Sequence, residues 1–226
     1  MRLLQSTLFV ACALGAVLSA QEAFSPARYR DGMLPALPLT AVGGGEVFLE
    51  LSVDAAGRVT DVIPLRTTPP FTDLVVAAVR DWRFLPAEGH ATTGPGRADT
   101  PASRRPVPSR VLVAAVYRPP ALRAPTLGEP PRDVATPSEG TAFPVTTSMP
   151  PYPPSAYGSG VVLLEVRIGR DGTIADVTVI HSAAPFDDAA RAAVRQWSFR
   201  PAHLQGMPVT TLVYVLFGFP IPVGRG

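Results

Sequence analysis

The sequence predicts an α+β protein: two small β-β-α-β modules, each an antiparallel sheet with one helix packed on a face, joined by a Pro-rich linker. Three observations predict it. A shift of 115 positions lays Leu37–Ala87 on Tyr152–Ala202 without a gap, and 21 of the 51 aligned residues are identical. Within each copy a period-two apolar alternation precedes one amphipathic stretch of helical period. Each copy then closes on a further apolar run. A unit repeated in this way is one folding module used twice.

Val47, Leu49, Leu51 and Val53 alternate with Phe48, Glu50 and Ser52, as Val162, Leu164, Val166 and Ile168 do with Leu163, Glu165 and Arg167. Both stretches are half-buried strands, and the default for Glu50 and Glu165 is a solvent-facing position. Ala56-Gly57 and Asp171-Gly172 turn the chain into second strands at Arg58–Leu65 and Thr173–His181. Pro64 has no N–H for a ladder, which places its strand at an edge or a bulge. A helix follows, entered at Pro70 and Pro185. Phe71, Leu74, Ala78 and Trp82 share one of its faces, as do Phe186, Ala189, Ala190, Ala193 and Trp197. Both tryptophans read as core anchors. Closing strands come at Arg110–Tyr117 and Val209–Phe219.

The first copy reaches its closing strand through Glu88–Ser109, 22 residues rich in Gly, Pro, Ser and Arg, which predict a disordered loop. Between the copies Arg118–Pro151 carries nine prolines in 34 residues. At about 3.1 Å per residue, such a polyproline spacer holds two modules up to roughly 100 Å apart. The boundaries that follow are a leader over 1–20, module one over 21–118, a linker over 119–149 and module two over 150–226.

Composition removes several functions. The net charge of +2 comes from a chain without lysine whose charges form no run, so nucleic acid is not an expected partner. Cys12 is the one thiol and lies in the leader; His90, His181 and His203 lack metal-ligand spacing. No cofactor, metal or catalytic residue is expected. His181-Ser182 near Asp187 reads as a strand end and a helix cap, and Asp171 with Asp176 as a hairpin turn.

Arg2, the apolar run Leu8–Leu18 and the small pair Ser19-Ala20 have the layout of a secretory signal. Cleavage there frees an exported protein; retention leaves an N-terminal anchor and the chain's one membrane contact. Lipid attachment at Cys12 is the third option.

Tyr152-Pro153-x-x-Ala156, Asp171-Gly172, Phe186-Asp187-x-Ala189 and Trp197-x-Phe199-x-Pro201-Ala202, in this order, resemble the C-terminal domain of TonB. The first copy resembles it more weakly, keeping Pro38-x-x-Ala41 and Trp82-x-Phe84-x-Pro86-Ala87 but carrying Leu37 in place of the aromatic. The resemblance implies a non-enzymatic periplasmic binding domain. Its partners are envelope proteins: TonB-dependent outer-membrane transporters or an inner-membrane motor complex.

An extended partner segment would add to an exposed closing strand, its backbone hydrogen bonds supplying affinity. That assigns peptide binding to Thr211, Leu212, Val213, Tyr214, Val215 and Leu216. Tyr152 and Met149 join them, Met149 standing where the family often has a Gln that contacts the transporter. Two alternatives are a membrane-anchored, energy-transducing TonB variant and an envelope scaffold that pairs through its sheet edges, with itself as a homodimer or with a second protein.

Overall fold

A computed structural model describes residues 24–38, 43–89, 104–120 and 129–222. The leader, and with it every expectation about residues 1–20, lies outside the described residues, as does 90–103 of the predicted loop. Among the described residues no helix is long and apolar enough to cross a membrane.

The chain forms β1 (Arg28–Asp31), β2 (Gly45–Val53), β3 (Val59–Thr67), α1 (Phe71–Val79), β4 (Arg83–Leu85), β5 (Ala87–Gly89), β6 (Arg105–Val107) and β7 (Ser109–Tyr117). Then come β8 (Arg132–Asp133), β9 (Phe143–Thr146), β10 (Gly160–Ile168), β11 (Ile174–His181) and α2 (Asp187–Val194). The last strands are β12 (Ser198–Arg200), β13 (Ala202–Leu204), β14 (Met207–Val209) and β15 (Thr211–Phe219). The repeat is visible in these bounds: β2 returns as β10, and β4 as β12, 115 positions on. It also reaches further upstream than the aligned sequence, because β1 returns as β9 at the same offset.

Seven strands make one mixed sheet in the order β11-β10-β15-β7-β2-β3-β8. Within each half the pairing is antiparallel. At the centre β15 and β7 pair in parallel, from Val213↔Leu112 to Gly218↔Tyr117. Equivalent strands that meet side by side in parallel are related by an axis lying along them, so the two halves turn opposite faces the same way. The helices therefore sit on opposite sides. One core gathers Phe71, Val75 and Val79 of α1 with Val47, Leu49, Leu51 and Val113. The other gathers Ala190, Ala193 and Val194 of α2 with Val162, Leu164, Val166 and Val215.

A helix covers only half of each face, and a short β-ribbon covers the rest. β1, paired with β4, lies over the second half: Tyr29 and Phe84 reach the Tyr214 ring at 6.1 and 5.7 Å. β9, paired with β12, lies over the first half, where Phe143 meets Phe48 edge-on at 5.7 Å. Trp82 and Trp197 are buried at the roots of these ribbons. Their indole Nε1 groups donate to Met33 O at 2.9 Å and to Ser148 O at 3.0 Å, positions again 115 apart.

Two expectations are corrected. The Pro-rich stretch is not a spacer between separated modules: in its described part, 129–151, β8 edges the sheet and β9 roofs it. The predicted disordered loop begins and ends as ordered ribbon, β5 pairing with β6. Gly57 and Gly172 form the hairpin turns at φ +78° and +82°. A Cβ there would lie 1.8 Å from Phe84 O and 2.2 Å from Phe199 O, so glycine serves both the turn and the close crossing strand.

Candidate peptide-docking edge

The expected docking strand is closed. β15 pairs β10 along its whole length, Gly160↔Phe219 to Ile168↔Thr211, and its other side is taken by β7. All nine of its residues are buried. Val213, Tyr214, Val215 and Leu216 thus lie between two strands and offer a visitor no free backbone, while Thr211 and Leu212, ahead of the β7 pairing, are paired with β10 and buried at the middle of the sheet. The cause is visible in composition: Leu112, Val113, Ala114, Ala115 and Val116 give β7 an apolar flank as continuous as that of β15. Two such edges bury more surface against each other than either does against solvent. Each copy taken alone would carry its last strand at an edge; joined, the two last strands cover each other.

Of the other two expected site residues, Tyr152 is half-buried, donates its hydroxyl to Gly158 O at 2.7 Å and packs edge-on against Phe186. Met149 remains exposed beside the carbonyl of Ser148 that holds Trp197. Neither belongs to a strand, since their segment runs between β9 and β10.

Sequence reading missed the two buried carboxylates. Glu50 and Glu165, expected in solvent, are 3% and 5% exposed. Glu165 accepts from Arg28 Nη2 at 3.0 Å and from the Tyr214 hydroxyl at 3.1 Å. That hydroxyl also accepts the Tyr29 backbone N–H. Glu50 accepts from Ser138 N, Ser138 Oγ, Thr141 Oγ1 and Arg110 Nη1 at 2.8–3.2 Å. Each carboxylate therefore pins the ribbon that crosses its half. Burial, together with the charge of nearby Glu165, pushes the Tyr214 hydroxyl far above its ordinary value. A signal existed: the same Glu recurs at the same place in both first strands, and a duplicated charge on an apolar strand invites a partner.

Among the described residues the seven-stranded sheet has two outer edges, and they differ. On the first half β3 is the outer long strand. Pro64 stands in it beside a register shift, and β8 covers its end through Arg66↔Asp133 and Thr67↔Arg132. Arg66 Nε binds Asp133 Oδ1 at 2.7 Å and Arg66 Nη1 binds Glu46 Oε2 at 2.7 Å, so the cover is clamped by charge. These hydrogen bonds hold the Asp133 carboxyl below the usual carboxylate range. On the second half β11 is outermost and pairs with β10 alone. It has no proline and no covering strand among the described residues.

At the end of the sheet where the halves meet, a cavity of about 430 Å³ is bordered by Ser52, Ser109, Arg110, His203, Leu204 and Thr211. The Ser109 hydroxyl is buried there without a partner. Elsewhere the polar clusters are structural. Asp187 takes the Ser182 hydroxyl and the Ala183 N–H, and Asp171 Oδ1 takes both the N–H and the hydroxyl of Thr173. Among the described residues no group of His, Cys, Asp or Glu has the geometry of a metal site.

The arrangement as a whole is that of a backbone-pairing sheet protein whose ribbons are locked by buried carboxylates. Residues 149–221, which take in β10 to β15, match the family model of the Gram-negative bacterial TonB protein C-terminal. No curated protein matches the chain.

Proposed function

We propose that this chain is an exported, non-enzymatic, TonB-like protein of the periplasm that binds extended segments of envelope partners in transport across the outer membrane. The supporting observation is the family match over 149–221, laid on a half that runs β10, β11 and α2 and, after the short strands β12 to β14, closes on β15. The first half is a second, degenerate copy of the same module: β2 and β4 return 115 positions on as β10 and β12, β7 returns 102 positions on as β15, and its helix packs in the same manner. In this reading the first copy has become a partner for the second. It covers the long edge of β15 and packs into both cores, so binding falls to the second half. Met149 flanks that half as a side contact.

The test is direct titration of the full chain with synthetic segments from the periplasmic ends of outer-membrane transporters, read by calorimetry. Saturable binding that is indifferent to nucleic acid supports the reading; no heat with any such segment at millimolar concentration removes it. N-terminal sequencing of the exported form decides between a free periplasmic protein, which starts after Ala20, and an anchored one.

A further inference from the structure

We propose that the docking strand is β11, and that its occupant is an extended, proline-free partner segment with apolar residues at alternate positions and a basic residue facing Asp176; this rests on the reading above.

The two outer strands occupy equivalent places, yet only one is blunted. Pro64 opposes Leu49, and 115 positions later Val179 opposes Leu164, each directly after the same register shift. A sheet manages an exposed edge by proline, charge or cover. The first half uses all three, in Pro64, Arg66 and β8. At Val179 the second half retains the N–H that Pro64 lacks, and nothing lies beyond it among the described residues.

The side chains of β11 say what fits. Ile174, Val177 and Val179 are only partly buried and sit at the margin of the core under α2. An added strand would seal that margin with every second residue, the ordinary arithmetic of strand addition. Asp176, Thr178 and His181 are exposed, and Asp176 is the one carboxylate on the strand. A lysine or arginine directly opposite is favourable, whereas an acidic residue is repelled. Proline in the visitor would remove the donors on which affinity depends.

The probe is a synthetic peptide of alternating Val and Thr with one central Lys, added to the full chain, with a Glu version as its control. Amides in Ile174–His181 should exchange at least about tenfold more slowly with the Lys probe, while those of β7 and β15, already paired, should not change. Val179→Pro brings into the second half the residue its counterpart tolerates. It should leave the melting temperature nearly unchanged and abolish capture. Asp176→Lys should weaken the Lys probe about fivefold and favour the Glu probe by a similar factor. Undiminished capture by Val179→Pro, or protection on any other strand, overturns the assignment. So does light scattering that shows a dimer broken by Val179→Pro, which would make the occupant a second copy. A transporter segment that binds but protects another strand sinks this inference and spares the function. A probe that protects β11 while transporter segments fail does the reverse.

Discussion

The two halves share a plan and differ in how they treat their edges and their buried charge. In the first, the outer strand is stopped by Pro64 and covered by β8, and Glu50 has three residues to satisfy it: Arg110, Ser138 and Thr141. In the second, β11 is bare and Glu165 depends on Arg28 and Tyr214. One copy has been finished as structure; the other keeps unspent backbone. The way to test that contrast is to disturb equivalent positions and compare.

The largest effects belong to the tryptophans. Trp82→Ala and Trp197→Ala should each cost about 3–5 kcal/mol, since both empty a packed site and orphan a backbone carbonyl. Because the cores share one sheet, both variants should lower a single unfolding transition, followed by far-UV circular dichroism. Two separate transitions would mean the halves fold independently.

Arg28→Ala should cost about 1.5–3 kcal/mol, as it removes one of the two side-chain partners that buried Glu165 has among the described residues. Arg110→Ala, which leaves Glu50 with Ser138 and Thr141, should cost about 1 kcal/mol. Chemical denaturation of the two variants side by side checks the order. Equal losses would remove the asymmetry.

Tyr117 and Phe219 are counterparts, stacked on Phe71 and Phe186 at 4.4 and 4.6 Å. The Tyr117 hydroxyl is buried without a partner, and burial raises it well above its ordinary value. The neutral form is thus favoured by folding: its contribution is complete below about pH 10, the unfolded value, and is lost as pH rises beyond it. Tyr117→Phe should be neutral to stabilising at pH 7 and should blunt alkaline unfolding, read as the midpoint of a pH titration by circular dichroism. Tyr214→Phe should share the second effect and lose stability at neutral pH, because its hydroxyl has work to do on Glu165.

The smallest effect is confined to β8 and the end of β3 that it covers. Asp133 is a stronger acid when folded, so its clamp on Arg66 contributes at every pH above the ordinary carboxylate range and fades as pH falls through the depressed value. Amide exchange at Arg66 and Thr67 should quicken under that acid condition and in Asp133→Asn at neutral pH, with global stability scarcely moved.

Strands, helices and hairpins were legible because each is written locally. The alternation in Val47–Val53 and the glycines at 57 and 172 needed no knowledge of the rest of the chain. Pro64 at a bulge and an outer strand was legible for the same reason. The meeting of β7 with β15 was not, since the apolar flank that drives it looks the same whether it faces a neighbour or an edge. Nor was the place of residues 129–151: prolines favour extension, and an extended segment serves equally as a spacer or as a strap on a sheet. The family match over 149–221 agrees with what the second copy's motifs suggested. What remained hidden in the site was global, namely which edge survives once the halves have joined.

The contact between Tyr29 and Tyr214 spans 185 positions. A chain emerging from its N-terminus must therefore carry its first ribbon unsettled until β15 has appeared. Until then the pair β1 and β4 has no strand to roof, and closure of that face waits on a partner made 185 positions later.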